Sequence, residues 1–451
     1  MTDTAGHAPS GLAVLSGAHR NIKLRLAVAF VNRFLNYMLT PLMAIYLSSE
    51  MGVGRVGSLL ALVVVATVCC TFLGGHLADT RGRRYTLLVA EGGVAAGYTV
   101  MALANSLLWH SPLATYGGFL LLTCMGGLAF PANDSVLMDV ATPEIRTGLY
   151  TINYWSMNVS FAAGAAIGGL FYGRHFPDLL WAGAALSCGV LVVTFLGLAE
   201  TAPALGRPGT ERSVRATLAG FAEAARDRLF LRIVAAATLI TLVEMQLTYY
   251  LGVRLSADFP RQELVHLGSW APQVDGVQML SILRILNTVL VVLLALLVKR
   301  VLSRISESLG MNLGIVLFVL GFMGLCVSND AWVLIALSVV YTVGELLNVP
   351  ARQAVMADVI DPRKRARYMS LYALRIRGAA LLASATLPLG DLLGPYGMAV
   401  LFAACGLASL ALLSAPARQR GQRLADFQKA MAADAGTAAV PTAATQPGGS
   451  R

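Results

Sequence analysis

Apolar runs alternate with short polar segments along almost the whole chain. Each run is close to the length of about 20 residues at which an α-helix crosses a bilayer. Six runs lie at about 24–47, 56–74, 85–104, 115–140, 146–172 and 179–198, and six more lie at about 230–255, 274–298, 311–327, 332–359, 367–393 and 396–413. The pattern predicts an all-α membrane protein with about twelve transmembrane helices in two six-helix halves.

The polar segments between these runs predict the domain organisation. Residues 22–199 and 230–415 form the two six-helix bundles, and 200–229 form a linker. Residues 1–21 and 416–451 are rich in small and polar residues, so both are predicted to be disordered.

Basic residues predict the orientation in the bilayer. The net charge is +10, although only 13% of the residues are charged. The Lys and Arg side chains concentrate in short segments on one side, at 81–84, 299–304 and 363–367 together with the linker and the tail. This distribution favours a cell (cytoplasmic) membrane protein with both termini in the cytoplasm, and it argues against a nucleic-acid partner.

An internal repeat supports the division into two halves. The stretch from Pro131 to Arg146 aligns without a gap on the stretch from Pro350 to Arg365, with identities at both ends and at Asp139 and Asp358. Parallel halves related in this way are typical of one large class of secondary transporters.

The polar loop at 74–84 carries the most specific motif. It resembles the signature loop between helices 2 and 3 of the major facilitator superfamily, and Thr80 is a departure from that pattern. The resemblance implies the major facilitator fold. It also implies a conformational latch that stabilises one facing state, formed by Gly75, Asp79, Gly82, Arg83, Arg84 and Asp139. The corresponding segment of the second half, around 299–310, shows no matching acid.

Stretches at 21–26, 153–158 and 341–345 resemble the LmrP-type multidrug/proton antiporters, and this similarity covers most of 21–413. It implies proton-coupled export of lipophilic compounds, with Glu345 at a coupling position. Asn153 and Thr248 stand where that family carries further acids. A weaker similarity to proton-coupled peptide transporters, at 32–37, lacks both acids of that motif.

Charged residues inside apolar helices are costly unless they are paired or face water. Glu345 and Glu244 are therefore candidates for proton coupling, and a structural hydrogen bond is the alternative for each. Candidates for the substrate cavity are the polar residues at membrane depth, Arg33, Tyr37, Asn153, Ser156, Thr248, Arg284, Asn348 and Arg375. The arginines either pair with the glutamates, for example Arg375 with Glu345, or meet an anionic group on a substrate.

The sequence shows no phosphate-binding loop, metal-ligand spacing or nucleophile arrangement, so no enzyme, cofactor or metal is predicted. The leading hypothesis is a monomeric secondary transporter whose partners are a small-molecule substrate, protons and the lipid bilayer. It exports small amphiphilic compounds by alternating access. The alternatives are proton-coupled transport of an anionic or peptide-like metabolite and, from another class, a membrane receptor that transports nothing.

Overall fold

The computed structural model describes residues 20–140, 143–198, 225–265, 271–302, 304–361 and 365–438. The first half contains α1 Arg20–Met51, α2 Val53–Arg81, α3 Arg83–Leu103, α4 Pro112–Val140 and α5 Pro143–Gly197. The second half contains α6 Arg228–Met245, α7 Tyr250–Asp258, α8 Gly276–Leu302, α9 Glu307–Val327, α10 Ala331–Val359 and α11 Arg365–Ala438. Most of the predicted linker and the first nineteen residues lie outside this description.

Two of these helices each contain two membrane passages. α5 bends at His175, where φ and ψ are not helical, and α11 bends at Gly394, where φ is +65°. Proline follows each bend closely, at Pro177 and Pro395, and removes a backbone donor there. Counted in this way, and with α6 and α7 as one passage, the described part of the chain makes twelve passages. The all-α fold in two six-helix halves is confirmed.

The seventh passage is broken, whereas the sequence predicts one continuous helix over 230–255. Residues 246–249 form a turn between α6 and α7. The amide side chain of Gln246 donates to the Leu242 carbonyl at 3.2 Å, which lies one turn back, and accepts from the Thr386 hydroxyl at 2.9 Å. The Gln246 side chain thus donates a hydrogen bond to a backbone carbonyl at the break. Interrupted helices inside a membrane need such bonds to satisfy their backbone groups.

Short β-hairpins mark one end of the bundle. Asn105–Ser106 pairs with Trp109–His110, and Gln262–Glu263 pairs with Gln273–Val274. They follow the third and seventh passages, so they lie at the same end, which we call the hairpin end. The opposite end, where α2 ends at Arg81 and α11 leaves the bundle near Pro416, is called the tail end.

The tail itself differs from the sequence prediction. Residues 416–438 continue α11 as a helix, where disorder was predicted. The segment is rich in Ala, Gln and Arg, which are strong helix formers. Contacts of Arg420 and Arg423 with the second half hold it in place.

The two halves touch near the hairpin end. A Cβ built on Gly57 of α2 would lie 2.6 Å from Cδ of Pro388 and 2.8 Å from the carbonyl oxygen of Ser384, both on α11. Gly169 of α5 packs directly against Ser281 of α8. Asp79, at the tail end of α2, is exposed, and so is Glu244 halfway along the bundle. The halves are therefore in close contact at the hairpin end.

This close approach at Gly57 leads to a prediction about the conformational equilibrium. Gly57→Val should shift the protein away from the state closed at the hairpin end, because its side chain has no room beside Pro388. Distances between spin labels at Arg55 and Leu392, in a cysteine-free background, should lengthen. Gly54→Val is the control, since nothing lies within 4 Å of a Cβ built there. Identical distance distributions in the two variants would show that Gly57 does not control closure.

Candidate functional site

Polar side chains from both halves meet between α1, α5, α8 and the break after α6. Arg33 of α1 donates from Nη1 to Oδ1 of Asn153 on α5 at 2.9 Å. The ring of Tyr37, one turn further along α1, packs edge-on against Phe161 with centroids 4.8 Å apart. Two predicted cavity residues are thus in direct contact, and the partner of the Arg33 guanidinium is a neutral amide.

Arg284 contributes the second half's charge to this group. It is buried on α8 and donates from Nη2 to the Thr248 hydroxyl at 2.8 Å. Its guanidinium lies 5.9 Å from the centre of the Phe161 ring, which belongs to the other half. Tyr37 interacts electrostatically with both Arg33 and Arg284. We call Arg33, Tyr37, Asn153, Phe161, Thr248 and Arg284 the interhalf cluster.

The arginines of the interhalf cluster have no carboxylate partner among the described residues. Thr248 and Asn153 offer dipoles, not charges, so the positive charges at this depth are compensated by aromatic and polar groups only. Ser156 is half-buried on α5, where its carbonyl accepts from Ser160 at 2.7 Å.

Both candidate coupling acids lie in the second half. Asn287 of α8 donates from Nδ2 to Oε2 of Glu345 at 2.9 Å, and also to the Thr342 hydroxyl at 3.0 Å. Glu244 of α6 is exposed and interacts electrostatically with Glu345. The two carboxylates therefore form one electrostatic unit, in which the Glu244 side chain is exposed and the Glu345 carboxylate accepts from a neutral donor.

Two arginines complete this group, which we call the carboxylate cluster: Glu244, Asn287, Glu345, Arg352 and Arg375. Arg375 stacks on the Tyr372 ring, with Cζ 4.1 Å from its centre, and makes no ion pair with Glu345 within the described residues. Arg352 is buried, and its Nε and Nη1 have no hydrogen-bond partner among the residues that the structure describes. It interacts electrostatically with Glu244 and Glu345.

Arg352 follows Glu345 by seven residues on α10, and it is not among the residues that the sequence predicts for the site. The internal repeat contains the missing signal, because Arg352 aligns with the uncharged Asn133. A charge that only one half carries, at a depth where charge is costly, indicates a role specific to that half.

Asn348 was predicted to line the cavity, and the structure places it elsewhere. It is fully buried on α10 with its Cβ beside Gly314 of α9, so it packs against α9 inside the second half. The angle of about 100° per residue between successive helix positions allows a residue three positions from Glu345 to lie off the cavity face.

The first half also holds a buried ion pair that is not predicted from the sequence. Arg25 of α1 and Glu91 of α3 approach to 3.8 Å, and each side chain is only 4% exposed. Both lie on the tail-end side of the bundle. Glu91 is an acid within an apolar run of the sequence, and folding places a basic residue of the first helix beside it.

The predicted latch is only partly assembled in this state. Gly82 joins α2 to α3 with φ at +96°, a conformation that favours glycine. Arg84 donates from Nη2 to the Phe195 carbonyl at 2.7 Å, and Arg83 is half-buried. Asp79 is exposed and forms no hydrogen bond or ion pair within the described part of the chain.

Gly75, a further residue of the predicted latch, does not make the close helix contact of this motif. Gly74 packs against the Leu128 backbone, whereas a Cβ on Gly75 would meet nothing nearer than Pro131 at 4.0 Å. The close helix approach in this motif therefore uses Gly74. The side chain of Asp139 lies outside the described residues. Among the described residues, no three His, Cys, Asp or Glu side chains form a group that would hold a metal ion.

Comparison with known proteins identifies the family. The model of the Major Facilitator Superfamily matches residues 26–306 and 275–439. A Na(+), Li(+), K(+)/H(+) antiporter from Planococcus maritimus is 25% identical over 379 residues, covering 82% of this chain and 89% of the relative. Multidrug resistance protein MdtH from Edwardsiella ictaluri is 25% identical over 351 residues, covering 76% of this chain and 80% of the relative.

Solved structures show the same fold. The crystal structure of the nucleoside transporter NupG superposes with a TM-score of 0.67 at 16% identity, covering 87% of this chain and 99% of that protein. A POT family transporter in complex with 5-aminolevulinic acid superposes with a TM-score of 0.65 at 16% identity, covering 90% and 96%. With the twelve passages and the family match over almost the whole described chain, these findings show that the protein is a multi-pass membrane transporter of the major facilitator superfamily.

Proposed function

We propose that this transporter is a proton-coupled antiporter that exports small amphiphilic compounds by alternating access, and that it is not an enzyme. The observation that supports this most is the carboxylate cluster. Two acids on different helices, Glu244 and Glu345, interact at a depth where a fixed charge is costly. A site that exchanges protons needs such a group, with access to water on one side.

The contacts of Glu345 suit a group that gains and loses a proton. Its hydrogen-bond donor is the neutral amide of Asn287, which can donate to a carboxylate and to the carbonyl oxygen of the protonated acid alike. A direct arginine partner would oppose protonation, because it favours the charged form. Glu244, which is exposed to the open side, provides the path by which protons reach the pair.

The cycle follows from the two facing states. With the hairpin end closed, substrate enters from the tail end and the cluster releases its protons there. When the tail end closes and the hairpin end opens, protonation of the cluster accompanies release of the substrate. If the tail end faces the cytoplasm, as the basic loops predict, this cycle exports the substrate from the cell.

The interhalf cluster supports a second candidate. Arg33 and Arg284 have no carboxylate partner within the described residues; Arg284 lies near the Phe161 ring, and both interact electrostatically with Tyr37. Such arginines suit a substrate with a carboxylate or phosphate group. The alternative function is therefore proton-coupled transport of an anionic or peptide-like metabolite. Exchange of a monovalent cation, suggested by the name of the Planococcus maritimus relative, belongs in the same test.

One assay separates these functions. Inside-out membrane vesicles with an imposed pH gradient are supplied with a lipophilic cation, a neutral amphiphile, an anionic dipeptide, and Na⁺ or K⁺ salts. Export of amphiphilic compounds predicts uptake of the lipophilic compounds only, driven by an acidic lumen. Uptake of the dipeptide alone supports the metabolite hypothesis, and movement of Na⁺ or K⁺ alone supports cation exchange. A gradient that drives none of these contradicts proton coupling.

Glu345→Gln tests the coupling residue, since glutamine keeps the size and hydrogen bonding but cannot release a proton. The variant should bind substrate and exchange it across the membrane, yet fail to accumulate it against a gradient. Glu244→Gln is the matched variant on the neighbouring helix and should have the smaller defect. A well-folded Glu345→Gln protein with full pH-driven accumulation would exclude Glu345 from the mechanism.

Asp79→Asn tests the latch. Asp79 is exposed while the tail end is open, so substrate affinity measured in this state should be unchanged. The turnover rate should fall, because the latch would form only when the tail end closes. Asp258→Asn, which changes an exposed acid at the hairpin end, is the control. Normal turnover with weakened binding would contradict the latch.

The orientation is tested by reporter fusions. A reporter inserted in the linker at 213–224 or fused after Arg423 should be active in the cytoplasm, because basic loops stay on that side. A reporter inserted near Glu263 should be active outside. The same location for all the reporters would rule out the proposed topology in the cell membrane.

A further inference from the structure

A group of charged side chains at the tail end has no place in the transport site described above. Two arginines of the tail, Arg420 and Arg423, contact three acids of the second half: Asp227, Glu307 and Asp358. We call these five residues the tail clasp. The three acids stand at the start of α6, the start of α9 and the end of α10, respectively.

Arg423 makes the best-defined contact of the clasp. Its Nη1 lies 2.6 Å from Oδ2 of Asp227 and its Nη2 lies 3.0 Å from Oδ1, which is a two-point guanidinium–carboxylate pair. Nη1 also lies 3.5 Å from the carbonyl oxygen of Val359, the last residue of α10. The hydroxyl of Tyr368 donates to Oδ2 of Asp227 at 3.3 Å. One side chain of the tail thus contacts both α6 and α10.

Asp227 is itself fixed by the helix that it begins. Its Oδ1 accepts from the backbone N–H groups of Leu229 at 3.1 Å and Phe230 at 3.3 Å, so it caps the N-terminus of α6. Burial acts to raise the pKa of this carboxyl, but the hydrogen bonds and charge of Arg423 and the two N–H groups outweigh it and hold the pKa below its ordinary value. The carboxylate is therefore charged at neutral pH, and the pair with Arg423 is intact there.

Arg420 ties the tail to two more helices. It contacts the Glu307 carboxylate and lies 3.9 Å from Oδ2 of Asp358. Asp358 is the repeat counterpart of Asp139, the acid of the predicted latch in the first half. The segment 299–310 has no acid that matches Asp79 of the first-half motif, but Glu307 at the start of α9 contacts the tail. In the second half, Arg420 of the tail thus provides a basic partner for Asp358.

The clasp lies at one end of the two helices that carry the coupling acids. Glu244 follows Asp227 by seventeen residues and Glu345 precedes Val359 by fourteen. At a rise of 1.5 Å per residue, these helices reach about 25 Å and about 21 Å from the clasp to their acids. Helices transmit a displacement over such lengths because they are stiff, so the separation of their ends at the clasp affects the relative position of the two acids.

We propose that the tail is a positioning element: Arg420 and Arg423 fix the start of α6 against the end of α10, and thereby set how Glu244 and Glu345 face each other. The consequence for transport rests on the proposed coupling function. The consequence for the separation of α6 and α10 does not. The two parts are therefore measured separately.

The structural part is tested with the full-length chain carrying Arg420→Gln and Arg423→Gln. Spin labels at Arg226 and Ala357, both exposed and close to the clasp, report the separation of the ends of α6 and α10 in a cysteine-free background. The distance should become longer or more broadly distributed in the double variant. Arg418→Gln is the control, since Arg418 is exposed on the same helix and has no ion pair within the described residues. Equal distances in the double variant and the control overturn the proposal.

The functional part is tested in the vesicle assay with the same variants. The double variant should lower the maximal rate of pH-driven transport by about 2- to 30-fold, which is the range for changes that alter coupling between sites. It should also move the pH at which transport is half-maximal, an effect that reduced protein amount does not produce. Arg423→Lys, which keeps the charge but not the two-point contact, should recover part of both. An unchanged pH profile together with an altered spin-label distance overturns the link to the acids.

A wrong role for the tail clasp and a wrong coupling function give different results in these assays. If a pH gradient drives no transport by the unmodified protein in the vesicle assay, the proposed coupling function is wrong. The spin-label distances still decide whether the tail holds α6 against α10. If Glu345→Gln abolishes accumulation while the double variant is normal in both assays, only the tail clasp is wrong.

Discussion

The cost of placing charge inside an apolar helix bundle governs the organisation of this transporter. A charged side chain at the centre of a bilayer costs about 2.5–3.5 kcal/mol on insertion scales unless a partner or water compensates it. The chain meets this constraint in three different ways. Arg25 and Glu91 pair with each other, Arg33 and Arg284 use neutral dipoles and aromatic rings, and Glu244 faces the open space. Each solution has a different consequence for function.

The asymmetry between the halves follows from these solutions. The Arg25–Glu91 pair in the first half is buried and each charge lies beside its partner, which suits a structural role. The second half holds two acids and two arginines without a direct ion pair among their described contacts, so its charge balance is open to change. Proton exchange requires such an arrangement, because a carboxylate in a tight ion pair stays charged. The broken passage after α6 lies next to this region and adds freedom where the charge changes.

The two ends of the molecule are stabilised by different forces. Near the hairpin end, Gly57 and Gly169 allow the halves to pack closely, so closure there depends on shape. At the tail end, the described contacts include ionic ones within the second half, where Arg420 and Arg423 contact its acids. Contacts based on packing are insensitive to salt, whereas exposed ionic contacts are screened by it. Salt is therefore expected to weaken the contacts at the tail end more than the packing at the hairpin end.

The sequence by itself determined the fold. The lengths of the apolar runs, the repeat from Pro131 to Arg146 and the loop around Asp79 were sufficient for twelve passages in two halves, because the bilayer allows few other structures for such a chain. The pattern also identified Glu345, Glu244 and the arginines as candidates, since a charged residue within an apolar run can be recognised from the sequence alone. Only the tertiary structure decided their partners. It placed Asn287 and not Arg375 beside Glu345, Asn153 beside Arg33, and the tail beside Asp227. These pairs join residues that are distant in the chain, and their geometry depends on how helices rotate and tilt against one another, which hydrophobic periodicity does not specify.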